Sequence, residues 1–322
     1  NWYKKRYGWE EQKENLFFCG GIVSAYAVLL NLLTKEGEGV VIQRPIYYPF
    51  TMKANSNGRQ IVDSPLIYAD GNYTIDFDDL DKKMAEPNNK VLVFCSPHNP
   101  AGRVWTEEEI RKVVDICKKY DKWIICDEIH CDLLRCGMTF HSILKVAPDY
   151  ADRIAVCTAP SKTFNLAGMK TSNIVIHNKE LQAAWKDLIG GKLSMNGAGT
   201  LGLTAMIAAY NEGEEWLEQL KEYLDGNFAY IDAFLKEHLP KAHMVPSEGT
   251  YLAWIDFNGY VDGDAEKLEE IMQKKAKVAL DEGYIFGDAG RGFERINIAT
   301  PRSVVEDCMD RILKAFKEEK LV

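Results

Sequence analysis

Short runs of consecutive apolar residues alternate with helical patterns through most of the chain. Runs that are apolar at nearly every position predict strands covered on both faces, as in a parallel sheet between helices. We therefore expect an α/β fold whose central sheet is mostly parallel. The predicted strands are Val40–Gln43, Val91–Cys95, Trp123–Asp127, Ile154–Thr158 and Asn173–His177.

Helical patterns occupy segments between and after these runs. Ile22–Thr34 is apolar on nearly every side, which is typical of a buried helix. Thr106 followed by Glu109 is a capping-box pattern, and it predicts a helix that extends to about Tyr120. Further helices are predicted at Lys179–Ile189, Thr200–Asn211 and Glu214–Glu237.

The pattern changes after Pro240. Strand patterns at Tyr251–Asp256 and Phe293–Ile298 flank a helical pattern at Asp264–Lys277, and a charged helix begins at Ser303. These elements predict a second, smaller α+β domain. We place the large domain at residues 1–225 and the small C-terminal domain at residues 226–322.

Composition disfavours some classes of function. The formal net charge of −9 argues against binding to nucleic acid or to an anionic membrane surface. The longest apolar region, Ala25–Leu33, is interrupted by Asn31 and is shorter than the roughly 20 residues of a membrane span. The eight cysteines have no metal-binding spacing, and several lie in predicted strands. We expect buried thiols, no metal site and a cytoplasmic location.

An acid and a lysine follow two of the predicted strands. Asp127 ends one strand, and Lys162 comes shortly after the next. The pair suits pyridoxal 5'-phosphate, because an amine can bond its aldehyde and a carboxylate can keep its ring nitrogen protonated. Taken singly, a lysine in a Ser/Thr-rich loop is usually a surface residue, and an Asp-Glu pair after a strand usually caps a helix.

Two further candidates lie at the start of a helix and the end of a strand. Gly20-Gly21 leave the amides of Ile22 and Val23 free to bind a phosphate, although a simple glycine turn is the commoner reason for such a pair. Tyr47 follows the first strand, where it could lie flat on a pyridine ring or pack beneath a loop.

Asn99 lies in a turn that two prolines make rigid. Its amide could donate to the phenolate oxygen of the cofactor ring, or the Asn-Pro pair could serve only the turn. We predict a cis bond between Asn99 and Pro100. His130 could approach the same ring oxygen or be a structural histidine.

Arg295 lies in a predicted strand of the small domain. Its guanidinium could bind a substrate carboxylate bidentately across a cleft, or it could form an ion pair with a nearby acid. Tyr48 and Tyr251 are candidates for the walls of a substrate pocket, and both could equally be core residues.

Five ordered blocks carry a family resemblance. They are VIQRPIYYPF (41–50), SPHNP (96–100), DEIH (127–130), SKTFN (161–165) and DEGYIFGD (281–288). Together they resemble the fold-type I pyridoxal phosphate enzymes related to aminotransferases, specifically their C-S β-lyase branch, which includes the cystathionine β-lyases. The resemblance covers essentially the whole chain. It implies a three-layer, aspartate aminotransferase-like fold and a homodimer.

The resemblance also implies roles for individual residues. In this family the lysine matching Lys162 holds the cofactor covalently, and the acid matching Asp127 pairs with its pyridine nitrogen. The residues matching Tyr47 and Asn99 contact the ring, and the one matching Arg295 binds the substrate carboxylate.

The phosphate-binding positions depart from the family pattern. Wider family members often have a serine three residues before the lysine and an arginine eight residues after it, where this chain has Ala159 and Lys170. We therefore expect the phosphate to be bound mainly by the amides of Ile22 and Val23, with help from Ser161 and Lys170.

The implied reaction is β-elimination from cystathionine, cysteine or a related S-substituted amino acid, which yields pyruvate, ammonia and a thiol. His130 favours this branch, because transaminases of the wider group usually have tyrosine there. An aminotransferase and a regulatory or scaffold protein without turnover remain alternatives. Family members carry several dozen residues ahead of the position matching Asn1, so we expect an N-terminal segment to be missing.

Overall fold

The computed structural model describes residues 1–195 and 197–322. Its strands are β1 (Leu16–Cys19), β2 (Gly39–Ile42), β3 (Gln60–Asp63), β4 (Ile67–Ala69), β5 (Asn72–Thr74), β6 (Asn89–Cys95), β7 (Trp123–Asp127), β8 (Ile154–Thr158), β9 (Ser172–Ile176), β10 (His243–Met244), β11 (Leu252–Asp256), β12 (Asp281–Glu282) and β13 (Phe293–Asn297). Its α-helices are α1 (Trp2–Tyr7), α2 (Ile22–Leu33), α3 (Tyr48–Ser56), α4 (Phe77–Ala85), α5 (Glu107–Lys119), α6 (Ile143–Val146), α7 (Pro160–Thr163), α8 (Lys179–Lys186), α9 (Thr200–Glu212), α10 (Glu214–His238), α11 (Asn258–Val261), α12 (Ala265–Glu269) and α13 (Arg302–Glu318).

A central sheet dominates the first part of the fold. Within the described residues it has seven strands in the order β1-β9-β8-β7-β6-β2-β3. The five neighbouring strands β8, β7, β6, β2 and β3 are parallel to one another. Strand β9 runs antiparallel to both of its neighbours, β1 and β8. A parallel neighbour requires a long crossover, and the segment between β8 and β9 contains only the one-turn helix α7 and a 3₁₀ turn. The predicted mostly parallel sheet is confirmed.

Helices cover both faces of this sheet, which gives three layers. On one face, Leu29 of α2 and Trp185 of α8 pack in one apolar cluster with Val93 and Ile125 of the sheet. On the other face, Val113 of α5 belongs to a separate cluster that contains Leu92 and Ile124. Adjacent strand residues therefore point to opposite helix layers, which explains why these strands are apolar at every position.

Most predicted elements are confirmed. β7 and β8 begin and end at the predicted residues, and the other predicted strands agree to within two residues. The predicted helix at Lys179–Ile189 consists of α8 followed by a π-helical turn. The predicted helix at Asp264–Lys277 likewise consists of α12 followed by a π-helical turn. The edge strands β1 and β3 are not among the predicted strands. Each has only four residues, which is too short for a clear pattern of apolar and polar positions.

A second sheet lies in the C-terminal part of the chain, in the order β10-β11-β13-β12. Its core includes Leu224 of α10, Met309 of α13 and Ile255 of β11. The helix α10 is continuous through residues 225 and 226, so the division of the chain there stays a prediction. Trp2 of α1 joins this same core. No helix in the described part of the chain combines the length and apolar character needed to cross a membrane.

We predict that Thr106→Ala destabilises the protein by about 1 kcal/mol, because the change removes the capping box of α5. The Thr106 hydroxyl accepts from the Glu109 amide at 3.2 Å, and the Glu109 carboxylate accepts from the Thr106 amide at 2.8 Å. Chemical denaturation measures the loss. Ser303→Ala is the control, since exposed Ser303 makes no cap hydrogen bond at α13, and its effect should stay within about 0.5 kcal/mol. Equal effects of the two variants would contradict the prediction.

Candidate active site

A cavity of about 260 Å³ lies at the carboxyl ends of the central strands. Asp127 is the last residue of β7, and Asn99 and Lys162 follow β6 and β8. Parallel strands end at the same edge of a sheet, so these side chains converge. The cavity wall includes all nine predicted cofactor-binding residues: Ile22, Val23, Tyr47, Asn99, Asp127, His130, Ser161, Lys162 and Lys170.

Asp127 is a buried carboxyl at one wall of the cavity. It is 6% exposed, and its Oδ1 accepts a hydrogen bond from the amide of Ile129 at 3.0 Å. Burial raises the pKa of Asp127 to about 7, although this amide and the positive charge of Lys162 oppose the shift. The cavity itself thus disfavours the charged form, and a cationic partner at this wall would restore it.

Lys162 lies on the short helix α7. Burial lowers its pKa below the ordinary lysine value, the charge of Asp127 opposes this shift, and Arg295 adds to it. An amine with a lowered pKa is more often neutral, which is the form that attacks a carbonyl or accepts a proton.

The amino end of α2 faces the same cavity. Gly21 precedes the helix with φ 136°, a conformation that favours glycine, and a Cβ there would meet no atom within 4 Å. The first helical amide bond runs from Ala25 to the Gly21 carbonyl, so the preceding helical amides lack partners in this ladder. With Ser161 and Lys170 opposite, this wall has the character of an anion site.

Asn99 and His130 line a third part of the wall. The Asn99–Pro100 bond is cis, as predicted. Arg295 Nη1 donates to Asn99 Oδ1 at 2.8 Å, which leaves the amide nitrogen of Asn99 as a donor. His130 is 2% exposed, its Nδ1 has no hydrogen-bond partner among the described residues, and burial lowers its pKa to about 3. Burial therefore favours the neutral form of His130.

Arg295 does not line the cavity itself but reaches its rim through Asn99. Its Nε and Nη2 both donate to Asp281 Oδ2, with the Nε bond at 3.1 Å. The predicted alternative of an ion pair with a nearby acid is thus present. The guanidinium also stacks over Phe286, 4.7 Å from the ring centroid.

The three candidate tyrosines take different positions. Tyr47 lines the cavity, and burial raises the pKa of its hydroxyl. Tyr48 lies behind it, with its ring centroid 5.4 Å from that of Tyr47, and does not reach the cavity wall. Tyr251 packs edge-on against His130 at 5.8 Å, also outside the wall.

Several cavity residues escape prediction from the sequence. Ser24 follows Val23 in the first turn of α2, and Thr171 follows Lys170. Their place next to predicted phosphate-binding residues is the only signal in the sequence. Ile129 also lines the wall, and its backbone amide donates the hydrogen bond that Asp127 accepts. No side-chain pattern predicts such a backbone contact.

Three cysteines surround Asp127. Cys95 of β6 and Cys157 of β8 are its register neighbours across the sheet, and Cys126 precedes it. All three are buried and free of disulfides. Burial and the nearby carboxylates raise the pKa of each thiol well above the ordinary value.

Comparisons with known proteins agree with this geometry. The family model "Aminotransferase class I and II" matches residues 1–312. The chain is 38% identical to cystathionine beta-lyase PatB of Bacillus subtilis, covering 98% of this chain and 81% of that protein. It superposes on cystalysin from Treponema denticola, a structure that contains pyridoxal 5'-phosphate, with a TM-score of 0.96 and 40% identity over 99% of this chain and 80% of the other. A PLP-bound C-S lyase from Staphylococcus hominis gives 0.92 and 39%, over 98% and 79%.

We predict that Asp127→Asn stabilises the cofactor-free protein, increasingly so as the pH rises from about 4 to about 7. The folded-state pKa of Asp127, about 7, lies above an unfolded value of about 3.9, so the wild type loses stability across this window. The gain should approach at most about 4 kcal/mol at higher pH. Denaturation at several pH values measures it.

The exposed Asp152 provides a matched control, because Asp152→Asn removes the same charge from the surface. Its effect should be small and nearly independent of pH. A gain for Asp127→Asn that does not grow with pH would show that burial of this carboxyl carries no such cost.

Proposed function

The chain belongs to the aminotransferase class I and II family, and on that premise we propose that it is a pyridoxal 5'-phosphate-dependent C-S β-lyase. The observation that carries the proposal is the single cavity in which a buried acid, a lysine of lowered pKa and a helix amino end meet. Relatives named cystathionine beta-lyase, C-S lyase and cystalysin, at 38 to 40% identity over nearly the whole chain, support the lyase branch.

The residues of the cavity fit the cofactor. Lys162 would bond its aldehyde, and Asp127 would pair with its ring nitrogen. The His130 imidazole and the amide nitrogen of Asn99 would face its ring oxygen, while Tyr47 would lie against the ring. The phosphate would lie at the amino end of α2, with Ile22, Val23, Ser161 and Lys170 around it.

When bound, the cofactor supplies an electron sink for the charge that develops at the substrate Cα. Lys162 would remove the Cα proton, and its lowered pKa supports this role because it increases the fraction of neutral amine. Asp127 holds a proton on the ring nitrogen, because an ion pair in a buried site favours both charged forms. The neutral His130 donates a hydrogen bond without adding a second positive charge.

Arg295 binds the substrate carboxylate in this proposal. Asp281 occupies Nε and Nη2 on one edge of the guanidinium, and Asn99 occupies one hydrogen of Nη1. Of the five N–H donors of arginine, one on Nη1 and one on Nη2 remain, and these two would be available to a carboxylate. Tyr48 lies behind Tyr47 and would shape the substrate side of the site only indirectly.

The substrates we propose are cystathionine, cysteine or related S-substituted amino acids, with pyruvate, ammonia and a thiol as products. We further propose a homodimer in the cytoplasm. The eight free cysteines of the described residues support a reducing compartment. Two structural domains, with a boundary near residues 225 and 226, also remain part of the proposal.

The deciding experiment separates elimination from transamination. The cofactor-loaded protein is incubated with cystathionine or cysteine, with and without an added keto acid, and pyruvate and ammonia are measured. A lyase releases both without keto acid. Turnover that requires keto acid would identify an aminotransferase instead, and cofactor binding without turnover would favour a regulatory or scaffold role.

We expect Lys162→Ala to abolish the visible absorbance of the lysine-bound cofactor and to reduce the rate of elimination by several orders of magnitude, because both the covalent bond and the base are lost. Absorption spectra and pyruvate release measure the two effects. Lys82→Ala, at an exposed position of α4, is the matched control and should behave as wild type. Persistence of the absorbance in Lys162→Ala would refute the assignment.

A further inference from the structure

Asp132 is a buried carboxylate outside the cavity. It is 1% exposed, and it is held by three hydrogen bonds from distant parts of the chain. Trp2 Nε1 donates to its Oδ1 at 2.9 Å, and the hydroxyl of Tyr7 donates to the same oxygen. Thr163 Oγ1 donates to its Oδ2 at 2.8 Å. Arg6 Nε lies 3.6 Å from Oδ1 and offsets the charge.

The two carboxylate oxygens of Asp132 therefore accept hydrogen bonds from different segments of the chain. Oδ1 binds helix α1, and Oδ2 binds only Thr163 among the described side chains. Thr163 is itself 0% exposed and directly follows Lys162 on α7. Asp132 lies shortly after Asp127 and His130 in the segment that leaves β7. One buried hydrogen bond thus joins the segment that carries Lys162 to the segment that carries Asp127.

The helix that carries Lys162 needs such support. α7 spans only Pro160–Thr163, and a single helical turn holds little stability of its own. The groups that perturb the pKa of Lys162 are Asp127 and Arg295, with no contribution from Asp132. The connection between Asp132 and Lys162 is the hydrogen bond from Thr163, the residue next to Lys162 on α7. Phe164 strengthens the same connection, because its ring packs edge-on against Trp2 at 5.6 Å.

We propose that Asp132, through Thr163, is a positioning residue that holds the Lys162 amine where it can bond the cofactor aldehyde. The proposal rests on the role proposed above for Lys162. A shift of about 1 Å in a reacting group is enough to weaken a bond-forming step strongly. The hydrogen bond from Thr163 to Asp132 should therefore matter for covalent attachment of the cofactor and not for its other contacts.

The test compares two forms of the cofactor. Pyridoxal 5'-phosphate has the aldehyde, whereas pyridoxamine 5'-phosphate shares the ring and the phosphate but cannot bond a lysine. Thr163→Val removes the hydroxyl and keeps the shape. We expect it to weaken binding of the aldehyde form about tenfold and to change binding of the amine form less than about twofold. Quenching of protein fluorescence measures both affinities.

Two variants control for general destabilisation. Thr163→Ser restores the hydroxyl and should recover the affinity for the aldehyde form. Tyr7→Phe removes a donor from the other oxygen of the same carboxylate, so it should lower thermal stability without changing the ratio of the two affinities. Thr163→Ala replaces Thr163→Val if the valine protein does not fold.

The outcomes separate this inference from the proposed function. If the wild type prefers the aldehyde form, and Lys162→Ala removes that preference, the role of Lys162 stands. A Thr163→Val protein that keeps the preference, or loses both affinities in parallel, then overturns the positioning role alone. If the wild type binds both forms equally, the assignment of Lys162 itself fails, and the positioning role fails with it.

Discussion

Desolvation of one carboxyl at the centre of the sheet is the constraint on which the site depends. Asp127 ends β7 between two strands whose facing residues are cysteines, and the surrounding apolar layers exclude water. Its pKa of about 7 shows that the protein holds this group in an unfavourable environment. Folding alone gains nothing from such an acid. In the proposed function, a cationic ring nitrogen at this wall would favour the charged form of Asp127 and offset the cost of its burial.

The same desolvation acts on the residues opposite. It lowers the pKa values of Lys162 and His130, so an amine and an imidazole are both biased towards their neutral forms in one small cavity. Burial is thus the largest cause of the pKa shifts of Asp127, Lys162 and His130 alike, and it disfavours the charged form of each. The rim differs, because Arg295 pairs there with Asp281 and contacts the cavity wall through Asn99.

Much of the fold and of the cavity wall could be predicted from the sequence. Buried parallel strands have an unmistakable pattern of consecutive apolar residues, and the carboxyl ends of β6, β7 and β8 then bring Asn99, Asp127 and Lys162 together without further information. What escapes prediction depends on three-dimensional packing. Short edge strands such as β1 and the hydrogen bond from the Ile129 amide to Asp127 arise from contacts that no local pattern encodes.

The cysteines around Asp127 have a further consequence. A cysteine beside an aldehyde cofactor could add to the aldehyde, and the thiolate is the form of cysteine that attacks. Cys95 lines the cavity, yet burial and the neighbouring acid keep it protonated. Desolvation and the acid at the end of β7 therefore make the Cys95 thiol a poor nucleophile, although it lies in the wall of the cavity.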